Sequence, residues 1–324
     1  MQCVSFLQVC DPHLTGVSPK NRLDDYFDAL CAKLNEAVYI ANHNDAYLLF
    51  MGDLVHKYDI APEVINVLLR ILRKARKRVF SVLGNHDVYG HNADAAKDKV
   101  IIGNLFASGV VTLLSKAPQF VEENGVIVQL TGVSYHVGMD HDASDYFINK
   151  VQGVHQAIHV LHSYLVDRPW PKHDGYTLLQ DVVTEANIIA TGHEHLGFGI
   201  FVRDDGVIFS NPGALGRVNC AMSEMNRMPT LTLFKCFKEY NEAHVVRLSS
   251  VRPSIEVLNR AYIEAEEARE SSLASFTAET RVRLEVADLP TLIDVVARID
   301  NVDPAVRAYA LELISIVQQR FMGA

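Results

Sequence analysis

The chain reads as an α/β layered domain followed by a helical annex. Two observations predict this. Short, β-rich apolar segments alternate with amphipathic stretches over the first 250 residues. After Arg252-Pro253 apolar residues recur at helical spacing. The 324 residues, 49% of them hydrophobic, suffice for a sizeable core in one large domain or two smaller ones. We therefore expect a main domain over residues 1–250 and a mostly helical region over 251–324.

The elements follow in order. Cys3–Cys10 reads as a strand. Leu23–His43 is a helix, with Tyr26, Leu30, Leu34 and Val38 on one face. Tyr47–Met51 is a strand, and Pro62–Lys77 is a helix with proline in its first turn. Val79–Leu83 is a strand and Asn104–Leu114 a mixed segment. Val126–Gly132, Ala157–Leu161 and Ile188–Thr191 are further strands. Ile200–Arg203, Val207–Ser210, Pro229–Lys235 and His244–Leu248 look like later antiparallel strands. Ser254 is placed to cap a helix bearing Ile255, Leu258, Tyr262 and Ala265. Asp303-Pro304 opens another, bearing Val306, Tyr309, Ala310, Leu313 and Val317.

Composition narrows the function. A net charge of −9 makes the chain a poor non-specific binder of nucleic acid, although a local site can still meet it. The five cysteines are scattered, without a C-x-x-C. They imply a reduced, cytoplasmic chain without a disulfide framework. MQCVSFLQVCDPH lacks a basic leader and reads as a strand, and no apolar stretch approaches membrane-span length, so no membrane is expected. The basic run Arg73–Arg78 ends a predicted helix, where cations suit the dipole and solvent.

Four short stretches each follow a predicted strand: Asp11-Pro12-His13, Gly52-Asp53-Leu54-Val55-His56, Gly84-Asn85-His86-Asp87 and Gly192-His193-Glu194-His195. Strand ends are where α/β sheets present ligands. In D-x-H and H-x-H on a strand end, period-two alternation puts both outer side chains on one side. Oxygen and imidazole donors without thiolate suit Mn, Fe, Zn or Mg. A carboxylate such as Asp53 has two oxygens and can bridge two cations. Between the third and fourth stretches, VHQAIHVLHSYL carries His155, His159 and His162, with His136 and His141 nearby. If 157–161 is a strand, His159 lies mid-strand opposite Ile158 and Val160, and His162 sits just past its end.

Together these motifs resemble the calcineurin-like metallophosphoesterase superfamily, in its motif order over residues 11–195. The resemblance implies a four-layer α/β/β/α double-sheet sandwich. It implies two divalent metal ions, manganese foremost, with Fe, Zn or Mg as the other candidates. Asp11, His13, Asp53 and His195 would hold one metal; Asp53, Asn85, His193 and a strand-tip histidine, read as His162, would hold the other. His86 would bind phosphate and protonate the leaving oxygen. A metal hydroxide would attack the phosphodiester.

Leu54-Val55-His56 after the bridging Gly-Asp departs from the Asp-Arg-Gly of the phosphoprotein phosphatases. The tyrosine ligand of purple acid phosphatases is also missing. Gly52–His56 resembles instead the G-D-L-F-H of the Mre11/SbcD-type DNA repair nucleases, so His56 would help position a DNA strand. The resemblance further implies a coiled-coil P-loop ATPase partner (Rad50/SbcC-like) docking on the C-terminal region, whose apolar faces also suit a homodimer. Asn211-Pro212-Gly213-Ala214 is either a plain turn or a site loop from which Arg217 reaches a phosphate. Tyr89, His91, His141 and Asp142 lie in loops near the motifs. The nuclease reading leads. A phosphodiesterase acting on a small molecule such as a cyclic nucleotide, and a scaffold subunit of an ATPase complex, stand beside it.

Overall fold

The computed structural model describes residues 2–89, 99–141, 143–170, 175–284, 299 and 302–322. His91 and Asp142 lie outside them. The chain divides into two compact units, Met1–Leu258 and Asn259–Ala324.

The first unit holds two mixed six-stranded sheets with helices around them. The first sheet has the order β14-β13-β1-β2-β3-β4. It comprises β1 (Val4–Val9), β2 (Ala46–Phe50), β3 (Val79–Ser81), β4 (Val111–Leu113), β13 (Thr230–Cys236) and β14 (Asn241–Arg247). The second has the order β11-β12-β10-β7-β6-β5. It comprises β5 (Gln119–Glu123), β6 (Val126–Val133), β7 (Gln156–Ser163), β10 (Ile188–His193), β11 (Gly199–Val202) and β12 (Ile208–Asn211). β8 (Leu165–Val166) and β9 (Thr177–Leu178) form a small separate pair.

Strand alternation builds the layers. Phe6, Leu49, Phe80, Ile158, Val160 and Ile188 meet between the sheets. Each of the fully buried phenylalanines there contributes about 1.5–3 kcal/mol. The opposite face of the first sheet, including Leu7, Val9, Leu48 and Phe50, packs on α1 (Tyr26–His43) and α2 (Pro62–Leu72). The opposite face of the second, with Ala157, Leu161, Ile189 and Phe209, packs on Tyr146 and Leu179 from two 3-10 turns.

Several elements depart from the sequence reading. α1 starts at Tyr26, where the Asp25 side chain caps the Asp28 N–H. α2 stops at Leu72 rather than Lys77. The basic run therefore leaves the helix: Lys77 pairs with Asp45 and Glu123, and Arg78 covers the Phe80 ring. β12 runs parallel to β10, not antiparallel. β5 escaped detection because QFVEE is mostly polar and borders the sheet. The mixed segment resolves into a short α3 (Gly103–Ala107) and β4.

The first unit ends at Leu258 rather than residue 250. Ser254 does not cap a long helix. It is the first residue of a four-residue α5 (Ser254–Val257), and its hydroxyl accepts from Arg217 Nη1. Leu258 bridges to Arg22, and Leu23 N donates to Val257 O, so this segment belongs to the first unit. Another short helix, α4 (Met222–Asn226), precedes β13. The second unit has α6 (Ala261–Leu284) and α7 (Pro304–Met322). Its buried pair Phe276 and Ile299 packs with Val302, Ala310 and Leu311, and Asp303 caps the Ala305 N–H at 2.8 Å. No helix among the described residues is long and apolar enough to cross a membrane.

His159 sits on the outer face of β7, fully buried. Its Nδ1 is 2.8 Å from Thr131 Oγ1 and its Nε2 is 2.8 Å from the Asp145 carbonyl. Burial pushes it down to about 4 from 6.5. The folded form thus resists protonation: its contribution is complete above pH 6.5 and is lost as pH falls toward 4. His159→Gln should make unfolding free energy less pH-dependent in that window, with a slope smaller by about 1 kcal/mol per pH unit. Urea titrations of both proteins between pH 4.5 and 6.5 measure this; parallel slopes would refute it.

Candidate metal centre

The C-terminal ends of β1, β2, β3, β7 and β10 converge at one edge of the sandwich. β1 and β2, like β7 and β10, are paired in parallel, so their following loops emerge together. Asp11 and His13 follow β1, Asp53 and His56 follow β2, and Asn85 and His86 follow β3. His162 lies inside β7, one residue before its end, rather than beyond it. It shares the inward face of Ile158 and Val160 and opposes Gly192 of β10.

The alternation expected of strand ends does not deliver these groups. Asp11, His13, Asp53 and His193 all have positive φ, at 43°, 45°, 46° and 82°. The chain leaves each strand through a left-handed turn that non-glycine residues enter at a cost. Backbone bonds hold the turns: His13 N to Asp53 O at 2.9 Å, Leu14 N to Leu54 O at 3.0 Å and His56 N to Leu14 O at 3.0 Å. Gly84 allows the approach of the third loop, since a Cβ there would lie 2.0 Å from Asp53 Oδ1.

The side chains form overlapping groups. Donor atoms of Asp11, His13, Asp53 and His195 lie within 4.8 Å of one another, as do those of Asp53, His162 and His193. Asp53 is common to both. Asn85 Oδ1 is 3.0 Å from His162 Nε2, which joins Asn85 to the second group. A third group, His13, His56 and His86, overlaps the first. His159 is not among them. His155 accepts the Ile127 N–H, and His136 pairs with Asp145.

The donor chemistry fits divalent cations. His13 Nε2 and His195 Nε2 are 2.9 Å apart, two imidazole nitrogens aimed at one point. Asp53 Oδ2 and His13 Nδ1 are buried without hydrogen-bond partners. The neighbouring groups orient the rest. His162 Nδ1 donates to Met51 O at 2.7 Å, which leaves Nε2 toward Asp53 and Asn85. The His193 N–H donates to both oxygens of Asp11 at 3.1 Å, and the His86 N–H to Asp53 Oδ1 at 2.9 Å.

Charge states follow. Burial opposes ionisation of Asp53, but His162 and His13 outweigh it and hold its carboxyl well below the usual range. Burial opposes the charge on His162 too, yet Asp53 and Asp11 raise it above an ordinary histidine. Burial raises Asp11, with Asp53 adding to the effect. His13 and His193 are lowered chiefly by burial, and His195 is lowered to about 4 for the same reason.

Arg217 does not reach this centre. The expectation that it contacts a phosphate is corrected by its surroundings. It is 1% exposed, and its guanidinium donates to Arg227 O, Ser254 Oγ and Arg252 O. It belongs to a cation clamp that single-sequence reading missed. The carbonyls of Ala214 and Gly216 accept from Arg227, that of Leu215 from Lys33 Nζ, and that of Arg217 from Arg22. The N–H groups of the clamped loop reach the metal centre: Ala214 N donates to His195 O and Leu215 N to Cys10 O. Burial and the neighbouring arginines push Lys33 down to about 7. Lys33 lies among apolar positions of α1, a pattern that signals a buried lysine without revealing its partner.

Asp87 closes the third stretch, where the motif assigns it no role. Fully buried, it accepts from Val55 N and Gly84 N and ties the second loop to the third. The rings of Tyr135 and Tyr164 lie 5.3 and 4.3 Å from that of His193; no sequence pattern announces them.

The model of the calcineurin-like phosphoesterase family matches residues 4–205. No curated protein matches the chain. Among solved structures, NAD nucleotidase (NadN) of Haemophilus influenzae is similar at 14% identity and TM-score 0.42, covering 84% of this chain and 56% of its own. Sulfate thiohydrolase SoxB of Thermus thermophilus is similar at 12% identity and TM-score 0.40, over 81% of this chain and 59% of its own. A hypothetical protein, also from Thermus thermophilus, is similar at 11% identity and TM-score 0.42, over 76% of this chain and all of its own. The chain thus spans less than two thirds of the length of NadN and SoxB.

His162→Ala should lower manganese stoichiometry from about two per chain to about one, while His159→Ala keeps both, since only His162 faces the donors. Calorimetric titration of metal-free protein measures it; full loading of His162→Ala would refute the assignment. Because Asp53 and Asp11 raise His162 above an ordinary histidine, loading at pH 7 should release a proton from it that His162→Ala does not. Titrations in buffers of different ionisation enthalpy read that proton directly.

Proposed function

The chain belongs to the calcineurin-like phosphoesterase family, a family of two-metal phosphoester hydrolases, and from that premise we propose that it is a DNA nuclease of the Mre11/SbcD type, working with manganese. The observation that carries the proposal is the imidazole pair at the mouth of the centre. His56 and His86 stack at 5.5 Å between ring centroids, and the His86 ring lies edge-on to His13 at 4.7 Å. His86 Nδ1 is 2.8 Å from His56 O, so Nδ1 donates there and Nε2 is left for a substrate oxygen.

Cations held by Asp11, His13, Asp53, Asn85, His162, His193 and His195 would supply Lewis acidity toward the phosphoryl group and lower the pKa of attacking water. The chain's own residues do the rest. The His86 imidazolium hydrogen-bonds a non-bridging oxygen through Nε2. Water gives one proton to solvent and adds to phosphorus, the bond from phosphorus to the leaving 3′ oxygen breaks, that oxygen takes the Nε2 proton, and a solvent proton restores His86. His56 holds His86 through its carbonyl, and its ring is the group proposed to set the position of the strand. Burial lowers His56, with the neighbouring His86 adding to the effect, so its ring resists protonation. The helical unit from Asn259 onward is the part proposed to dock a coiled-coil ATPase.

A second reading, hydrolysis of a small phosphodiester, is favoured by the net charge of −9. One assay separates the two. Manganese-loaded protein is offered single-stranded DNA, double-stranded DNA, a small chromogenic diester and a monoester. Cleavage of DNA is expected; hydrolysis of the small diester alone would sink the nuclease reading. His86→Gln should lower kcat about 10²- to 10⁴-fold with metal stoichiometry intact, as loss of a general acid requires. His56→Ala should raise KM for DNA more than for the chromogenic diester.

A further inference from the structure

Two exposed tyrosines stand on the loops that carry His56 and His86. Tyr58 is 44% exposed and Tyr89 is 43% exposed. Their ring centroids are 5.7 Å apart at an angle of 56°. Only Lys57 separates Tyr58 from His56; Asp87 and Val88 separate Tyr89 from His86. Both loops are anchored: His86 Nδ1 to His56 O, Val55 N to Asp87 Oδ1, and His86 N to Asp53 Oδ1. The tyrosines thus extend from segments bonded to the groups proposed to handle the phosphodiester. The rings touch each other, yet each leaves over two fifths of its residue surface to solvent.

We infer that Tyr58 and Tyr89 form a stacking platform for an unpaired nucleobase of a single strand whose phosphate lies at the metal centre. The inference rests on the nuclease reading and names what holds the strand. Along a nucleic acid, the neighbours of the scissile phosphate are nucleosides. Their flat π faces match an exposed aromatic pair. The charge balance argues the same way. A chain of net charge −9 gains little from releasing counterions along the backbone, so strand affinity has to come from contacts that need no positive field. Base–aromatic stacking is such a contact, and it tolerates any sequence. Lys57, exposed between Tyr58 and His56, adds one cation to the same loop. Stacking also selects for unpaired bases, because a duplex buries the faces the platform needs.

The test uses the full chain and two readouts. Anisotropy of a fluorescent single-stranded oligonucleotide, with metal removed by a chelator, gives Kd without turnover. Steady-state cleavage of that oligonucleotide and of a small chromogenic diester, with manganese, gives KM and kcat. Tyr58→Ala and Tyr89→Ala should each raise Kd and the oligonucleotide KM roughly 5- to 100-fold, the loss of one base stack. Kinetics on the chromogenic diester should stay within about twofold, and Tyr58→Trp should keep tight binding. If both alanine variants bind and cleave the oligonucleotide like the parent, the platform is refuted. A loss that tryptophan does not restore, or that extends to the small diester, refutes stacking as the cause. If the parent hydrolyses the small diester but neither binds nor cleaves the oligonucleotide, the nuclease reading fails and the platform fails with it.

Discussion

The Asp53 carboxylate is the constraint on which the rest of the site depends. It is fully buried between two sheets that otherwise meet through apolar side chains. A buried carboxylate is costly unless paired and hydrogen-bonded. Oδ1 takes the His86 N–H, while Oδ2 faces His13 at 3.5 Å and His162 at 3.3 Å. Those partners come from β1, β3 and β7, so one carboxylate ties both sheets together at the edge where substrate must arrive. Gly84 and Asp87 serve the same arrangement, one by lacking a side chain against Asp53, the other by bonding the loop that carries it.

Holding the ligands there strains the backbone. Among the described residues, seven non-glycine positions have positive φ, and four are Asp11, His13, Asp53 and His193. Each costs of order 1–3 kcal/mol, which surrounding structure must offset. The cation clamp is part of that support. Consecutive carbonyls of the 214–217 loop are bound by Arg227, Lys33 and Arg22. The loop's own N–H groups then hold Cys10 and His195, whose neighbours include the strained Asp11. Arg217, singled out as a substrate contact, acts within this frame. An arginine near a Pro-Gly turn looks the same in sequence whether it faces a phosphate or a carbonyl.

The strands that build the site were legible because their alternation is strong. Ile158 and Val160 placed His159 on the opposite face of β7, where it lies; His162, expected at the strand tip past the end, instead lies within the strand, on the inward face. Period-two reasoning then reached a sound grouping by an unsound route for Asp11 and His13. These residues lie beyond β1 in left-handed turns, which no propensity of aspartate or histidine announces. The apolar spacing of Ile255, Leu258 and Tyr262 suggested one helix. Leu258 is buried and Ile255 is 78% exposed, because tertiary contacts with Arg22 and Arg217 end the helix at Val257. Asn85 and His86 were legible as a motif, whereas the tyrosines around His193 depend on long-range packing.

The charge states describe a centre built to receive positive charge. Without cations, Asp53 stays ionised and the charge it needs comes from the proton on His162. The other imidazoles, His13, His193 and His195, are kept neutral and so remain donors of lone pairs. Proton and cation thus compete for the Asp53–His162 pair, and rising pH favours the cation. That competition stays local. The net charge of −9 adds to the pull on cations at long range but opposes a polyanionic strand. Under the proposed nuclease function the work divides: carboxylates and imidazoles draw in metal, while neutral rings at the rim, not a basic surface, are proposed to hold the strand.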